Sequence, residues 1–112
     1  MGIVKFSDAT VTPIGAGRSR YLAHTDHLMT VVVDFNDGPA SVPDPPHSHP
    51  HEQVSYVAAG ELILIMGSEK TRLIAGDLFT VPANVPHAVQ TLTPHVRLID
   101  AFNPIREDFL KR

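Results

Sequence analysis

Residues 47–57 read HSHPHEQVSYV. His47 and His49 stand two apart at the start of a β-branched, alternating run, so in extended backbone their side chains leave the same face. Two imidazoles on one face, each with a nitrogen lone pair, make half of a metal site. Gln53, four residues past His49 and across Pro50, can return as an oxygen donor. A further imidazole is available from Val85-Pro86-His87, just after a strand and a Pro-containing turn. Histidines pack in cores or sit on surfaces far more often than they bind metal, so the pair alone decides nothing. Three features weigh toward ligation. Pro45, Pro46 and Pro50 stiffen the backbone that presents the pair; the chain has no cysteine to compete; and His87 has its own proline-framed turn. His24, His27 and His95 read as solvated, and His51 as a surface residue or a rim contact.

Outward from this stretch, nearly every segment has the period of a strand. Leu28 to Phe35 (LMTVVVDF) is β-branched and stops at Asn36-Asp37-Gly38-Pro39. Val54 to Ala58 ends at Ala59-Gly60, Glu61 to Met66 at a hairpin turn, Gly67-Ser68, and Thr71 to Ile74 at Ala75-Gly76-Asp77. Leu78 to Val81 runs into Pro82, Ala88 to Leu92 into Thr93-Pro94, and Val96 to Phe102 closes the series. Helical period survives only in the short C-terminal tail, Arg106 to Arg112. Gly38 to Pro46 (GPASVPDPP) is too proline-rich for a strand interior and reads as an ordered loop. Short strands between turn signals predict a sandwich or barrel, and 112 residues are enough for a single domain, 1–112.

Composition excludes several function classes. With 43% hydrophobic and 19% charged residues, the chain is an ordinary globular one. A net charge of −3 offers no electrostatic footprint for nucleic acid or anionic membrane. The absence of cysteine removes disulfide scaffolds, thiolate metal sites and thiol nucleophiles. Leu62 to Met66 is the longest apolar run, far short of the roughly 20 residues a spanning helix needs. The opening MGIVKFSDAT has no hydrophobic stretch of the secretory kind. These features predict a cytoplasmic protein. The apolar strand from Leu28 to Val33, if exposed, makes a homodimer the expected assembly.

The two histidine blocks carry a family resemblance. PHSHPHEQVSYVAAGE (46–61) resembles the first cupin motif: two histidines with one residue between them, an acid or amide three or four later, and a glycine seven after that. Its members here are His47, His49, Gln53 and Gly60. GDLFTVPANVPHAVQT (76–91) resembles the second motif, with Gly76, Pro82 and His87 in place. Asn84 stands where glycine is usual, and Thr91 where asparagine is usual. The resemblance implies an all-β, cupin-type antiparallel β-barrel of jelly-roll type, holding one metal in its mouth. Most cupins have glutamate where Gln53 stands. That glutamine, the spacing to VPANVPH, the ending DAFNPIREDFL (100–110) and RYLAHTDHLM (20–29) together are similar to a narrower group. These are the small pectin-degradation cupins, which open the ring of 4,5-unsaturated uronate monosaccharides.

Three neutral imidazoles and an amide oxygen leave the full charge of one divalent transition metal uncompensated, which favours Lewis-acid chemistry and anion binding. Spacing does not choose among nickel, zinc, manganese and iron. On the last strand Val96, Leu98, Asp100 and Phe102 share one face. If that face looks inward, Asp100 is a buried carboxylate beside the metal and a candidate general acid/base; if the register is reversed, it is solvated. The resemblance implies that Asp100 and Phe102 line the pocket, with Phe102 as a wall for a sugar ring. The expected small-molecule substrate is an anionic sugar, whose carboxylate the metal or the fork of Arg20 could hold. Two other functions compete: a cupin dioxygenase using iron or copper, and a non-catalytic metal-dependent sugar- or metabolite-binding cupin. A buried Asp100 favours chemistry over binding alone.

Overall fold

Burial alternates along the strands as a side-chain period of two requires. The structure is a computed structural model and describes residues 2–110. Its strands are β1 (Thr12–Pro13), β2 (Arg18–His24), β3 (Met29–Phe35), β4 (Glu52–Ala59), β5 (Glu61–Met66), β6 (Glu69–Ile74), β7 (Leu78–Val81), β8 (His87–Thr91) and β9 (Val96–Asn103). All pairings between them are antiparallel. They make a six-stranded sheet in the order β1-β2-β3-β9-β4-β7 and a three-stranded sheet in the order β6-β5-β8. The core contains Met29, Val31, Val57, Leu62, Val81 and Val96, all at most 1% exposed.

Two inner rows of the larger sheet position the site. Gln53, Ser55 and Val57 of β4 stand directly across from Phe102, Asp100 and Leu98 of β9, and all six are buried. The inward register of β9 therefore holds, and Asp100 is inside. Tyr56 alternates to the outer face, 41% exposed, as its position three past Gln53 requires.

The strand β2 does not show in the sequence pattern because its inner face does not look apolar. Arg18 and Arg20 share that face with Leu22, and each lays its guanidinium over a ring, Arg18 over Phe35 at 4.8 Å and Arg20 over Phe109 at 3.8 Å. Long cationic side chains bury their stems and so conceal the strand's alternation. Leu28 to Val33 is not the exposed apolar strand expected as a dimer surface. Met29, Val31 and Val33 are buried in the core, and β3 is paired on both edges, by β2 and β9; Leu28 alone of the apolar residues there is more than half exposed. The helical tail shrinks to a 3-10 turn, Glu107–Phe109, and the expected end at Arg112 lies outside the described residues.

The proline-rich loop is ordered, as its composition predicts, and the backbone hydrogen bonds say why. The Ala40 N–H donates to Thr91 O (2.9 Å), and the Asp44 N–H to Val89 O (3.0 Å). Arg18 anchors the loop's start and middle, donating to Asp37 Oδ2 at 2.9 Å and to Asp44 at 2.7 and 3.0 Å. The segment thus runs along β8 despite its prolines. It ends in a reciprocal bridge: the His47 N–H donates to His87 O (3.0 Å), and the His87 N–H to His47 O (2.9 Å).

Two motif positions have backbone reasons. Gly60 has φ +81, and a Cβ there would collide with the His95 carbonyl oxygen, so only glycine fits. Asn84 has φ +66. Asparagine tolerates this left-handed conformation better than other side chains, which explains how it replaces a glycine.

Candidate metal centre

The His47–His87 bridge brings the first histidine block against the second. His47, His49 and His87 present ring nitrogens that all lie within 4.8 Å of one another, a group that could hold a metal ion. The His47 and His87 rings are 4.3 Å apart between centroids, and those of His49 and His87 5.0 Å. His49 and His87 are buried, whereas His47 is exposed and opens the group to solvent. Partial desolvation by the surrounding protein first, then the neighbouring imidazoles, holds the His47 pKa below the ordinary histidine range; burial also depresses that of His87. Neutral rings keep their lone pairs for a cation.

The hydrogen bonds test whether a metal fits. His87 Nδ1 bonds Val85 O at 2.9 Å, which leaves its buried Nε2 with no partner. His49 Nδ1 bonds His51 O at 3.0 Å, and its Nε2 lies 3.0 Å from Gln53 Oε1. A neutral imidazole has only one N–H, yet both of these neighbours are acceptors. With Nδ1 donating to the backbone, the Nε2 and Oε1 lone pairs face each other, an arrangement that a cation satisfies. A backbone carbonyl on the second ring nitrogen is the usual support for a metal-ligating histidine. The donor set His47, His49, Gln53 and His87 fits a metal.

A chain of hydrogen bonds leads away from Gln53. Its Nε2 donates to Ser55 Oγ at 2.9 Å, and the Ser55 hydroxyl donates to Asp100 Oδ1 at 2.6 Å. Burial pushes the Asp100 carboxyl up to about 6, against a smaller lowering by the Ser55 bond and the Arg106 charge. A carboxyl tuned to that range can both take and return a proton near neutral pH.

Of the other expected residues, Phe102 reaches the centre and Arg20 stands off. Phe102 packs edge-on against His49, with centroids 5.6 Å apart, and is only 3% exposed. Arg20 sits on Phe109 and lines a separate groove of about 870 Å³ with Lys5, Asp8, Leu22 and Leu110. Desolvation lowers its pKa. The cation beside the centre is Arg106, which is not among the residues expected from the sequence. It stacks on Phe102 at 5.1 Å and on Phe109 at 4.2 Å, and its charge acts on His47, His87 and Asp100. Its fork is held by Asp108 at 3.1 and 2.9 Å. The signal was available, since Arg106 lies in the DAFNPIREDFL tail. Ser55 was also legible, two past Gln53 on the same face. His95 is exposed, as expected, and has a partner as well. Though 47% exposed, it bonds Asp34 at 2.9 Å, beside Arg97.

Comparison with known proteins agrees with this geometry. The Cupin domain family matches residues 31–102, which takes in both histidine blocks and Asp100. The chain belongs to the cupin family. This cupin is 37% identical over 94 residues to the pectin degradation protein KdgF of Dickeya dadantii (strain 3937), with 83% of each chain covered. Among solved structures it superposes on an RmlC-like cupin from Shewanella frigidimarina NCIMB 400 with a TM-score of 0.85. Identity there is 36%, over 95% of this chain and 93% of the other. The structure of KdgF from Halomonas sp. gives 0.84 at 34% identity, over 94% and 96%. No helix among the described residues is long and apolar enough to cross a membrane.

Proposed function

We propose that this cupin is a metal-dependent, redox-neutral enzyme that converts 4,5-unsaturated uronate monosaccharides to linear 5-keto-4-deoxyuronate. The observation that carries the reading is Asp100, a buried carboxylate with its pKa raised to about 6. It is joined through Ser55 to a side chain that faces the imidazole group. A binding module gains nothing from a buried base. The likeness to two KdgF proteins, one of them described as a pectin degradation protein, supports the substrate class.

His47, His49, Gln53 and His87 are the proposed ligands of one divalent transition metal, which supplies Lewis-acid stabilisation of negative charge on oxygen when bound. The anomeric hydroxyl of the substrate loses its proton, and the ring C–O bond breaks to leave an aldehyde and an enolate. The enolate then takes a proton on carbon and becomes the ketone, so the proton removed in the first step is balanced by the one returned in the second. Asp100 is placed to accept the first proton and to deliver one in the second step. Its Oδ1 is held by Ser55, which leaves Oδ2 for the substrate. Phe102, pressed on His49, forms the wall of the pocket.

Arg106 is the better-placed cation for the substrate carboxylate, since only part of its guanidinium is taken by the Asp108 bonds. Arg106→Gln is expected to raise KM for the uronate about 10- to 100-fold, the loss of a charge-assisted hydrogen bond, with a smaller change in kcat. Arg20→Gln serves as the comparison, because Arg20 supports Phe109 from the groove side. A larger KM rise in Arg20→Gln would return the carboxylate to Arg20.

The function itself is tested by incubating metal-loaded protein with unsaturated uronate monomers and following the absorbance of the 4,5-double bond. Its loss without oxygen uptake is the expected result. Stable absorbance with tight binding would make the protein a binding cupin, and oxygen consumption would make it a dioxygenase.

A further inference from the structure

We infer that Ser55 is a positioning residue: it fixes which end of the Gln53 amide faces the metal. The inference rests on Gln53 being a ligand, as proposed above, and concerns why an amide can serve there. An amide has two chemically opposite ends of nearly equal size, and only the oxygen end binds a cation. Left to itself, Gln53 would gain from turning its NH2 toward the bare Nε2 of His49. Something must hold it the other way.

The polarity of the chain does this. Asp100, when ionised, only accepts, so the Ser55 hydroxyl proton is committed to Oδ1 at 2.6 Å. With its one proton so directed, Ser55 Oγ can only accept from Gln53, and at 2.9 Å it takes the Nε2 hydrogen. The amide oxygen is thereby turned to His49 Nε2, 3.0 Å away. Ser55 is 1% exposed, so water does not reach it to offer an alternative partner. The cross-strand register sets the geometry, because Ser55 lies directly opposite Asp100 on β9.

This polarity also accounts for glutamine over glutamate at position 53. A glutamate has no donor for Ser55, and it would set a second carboxylate against the Asp100 hydrogen-bond chain. The hydroxyl would then be contested by two acceptors. An acidic base at position 100 and a neutral ligand at position 53 are thus parts of one arrangement.

The test measures Co²⁺ affinity of the full chain by chelator competition, with the visible Co²⁺ spectrum as a second readout. Ser55→Ala is expected to weaken binding about 10- to 100-fold, the range for losing a hydrogen-bond partner of a ligand. A carboxylate ligand needs no orienting, because its two oxygens are alike. In a Gln53→Glu background, Ser55→Ala is therefore expected to cause no comparable loss. A cavity effect would lower affinity equally in both backgrounds, and that outcome overturns the inference. Wild-type affinity in Ser55→Ala overturns it as well. If Ser55→Ala does not fold, Ser55→Thr and Ser55→Val supply the same comparison with matched shape, and only the threonine should retain binding. Equal affinity in that pair would again overturn the role. Failure of the ligand reading looks different: Gln53→Ala would bind Co²⁺ as tightly as wild type.

Discussion

His49→Ala is expected to leave the protein nearly metal-free after dialysis, where the wild type retains one divalent ion per chain. His49 is a buried member of the imidazole group, with one nitrogen against a backbone carbonyl and the other against Gln53 Oε1. Its removal deletes a proposed ligand, while the Ser55 bond to the Gln53 amide is left in place. Metal analysis after exhaustive dialysis reads the effect, with circular dichroism to show that the sheets persist. His47→Ala is a useful companion, because His47 is exposed and its loss leaves no buried cavity. Full occupancy in His49→Ala would remove the metal centre from this site.

Asp100→Asn is expected to lower turnover of the unsaturated uronate by about 100- to 10,000-fold, the usual effect of losing a general acid/base. Metal content should hold. An asparagine oxygen can still accept from Ser55, so the variant can form the same chain to Gln53. The wild type should lose activity as pH falls through about 6, the range to which burial has raised the Asp100 carboxyl. That acid limb should be missing from the residual activity of Asp100→Asn. Normal turnover in the variant would move the proton to another group, and loss of metal would make Asp100 structural.

The same carboxylate makes a stability prediction of opposite sense. Its folded value of about 6 lies above the ordinary 3.8, so the fold favours the protonated form. The stability it contributes is present below pH 3.8 and is lost as pH rises through about 6. Metal-free Asp100→Asn should therefore melt at a higher temperature than metal-free wild type at pH 8. The gap should close toward pH 4. A base held in the core against its solvation preference is destabilising, and such sites are where a working residue shows.

Much of this molecule was legible in one dimension. Alternation along VRLIDAF puts Asp100 on the apolar face whatever the rest of the chain does, because a strand's side-chain period is two. Turn residues marked the strand ends at Gly60, Gly67 and Pro82 for equally local reasons. The motif blocks named His47, His49, Gln53 and His87 together. Local reading failed where a residue's environment came from a distant element. Arg18 and Arg20 hid β2 because their rings, Phe35 and Phe109, come from β3 and the C-terminal turn. Leu28 to Val33 looked like a free apolar surface because nothing local says that β2 and β9 flank that strand.

What the sequence by itself determined is the inventory: strand periods, turn positions, candidate ligand types and a carboxylate on the same strand face as Val96, Leu98 and Phe102. Each depends on spacing along the backbone, which is fixed by covalent geometry. What only the tertiary structure decided is adjacency. The His47–His87 bridge closes the imidazole group across forty residues of chain, and the register of β4 on β9 sets Ser55 against Asp100. The docking of the C-terminal turn makes Arg106, rather than Arg20, the cation beside the centre. Hydrogen bonds and ion pairs of this kind act over about 3 Å, and separation in sequence carries no information about which residues will come that close.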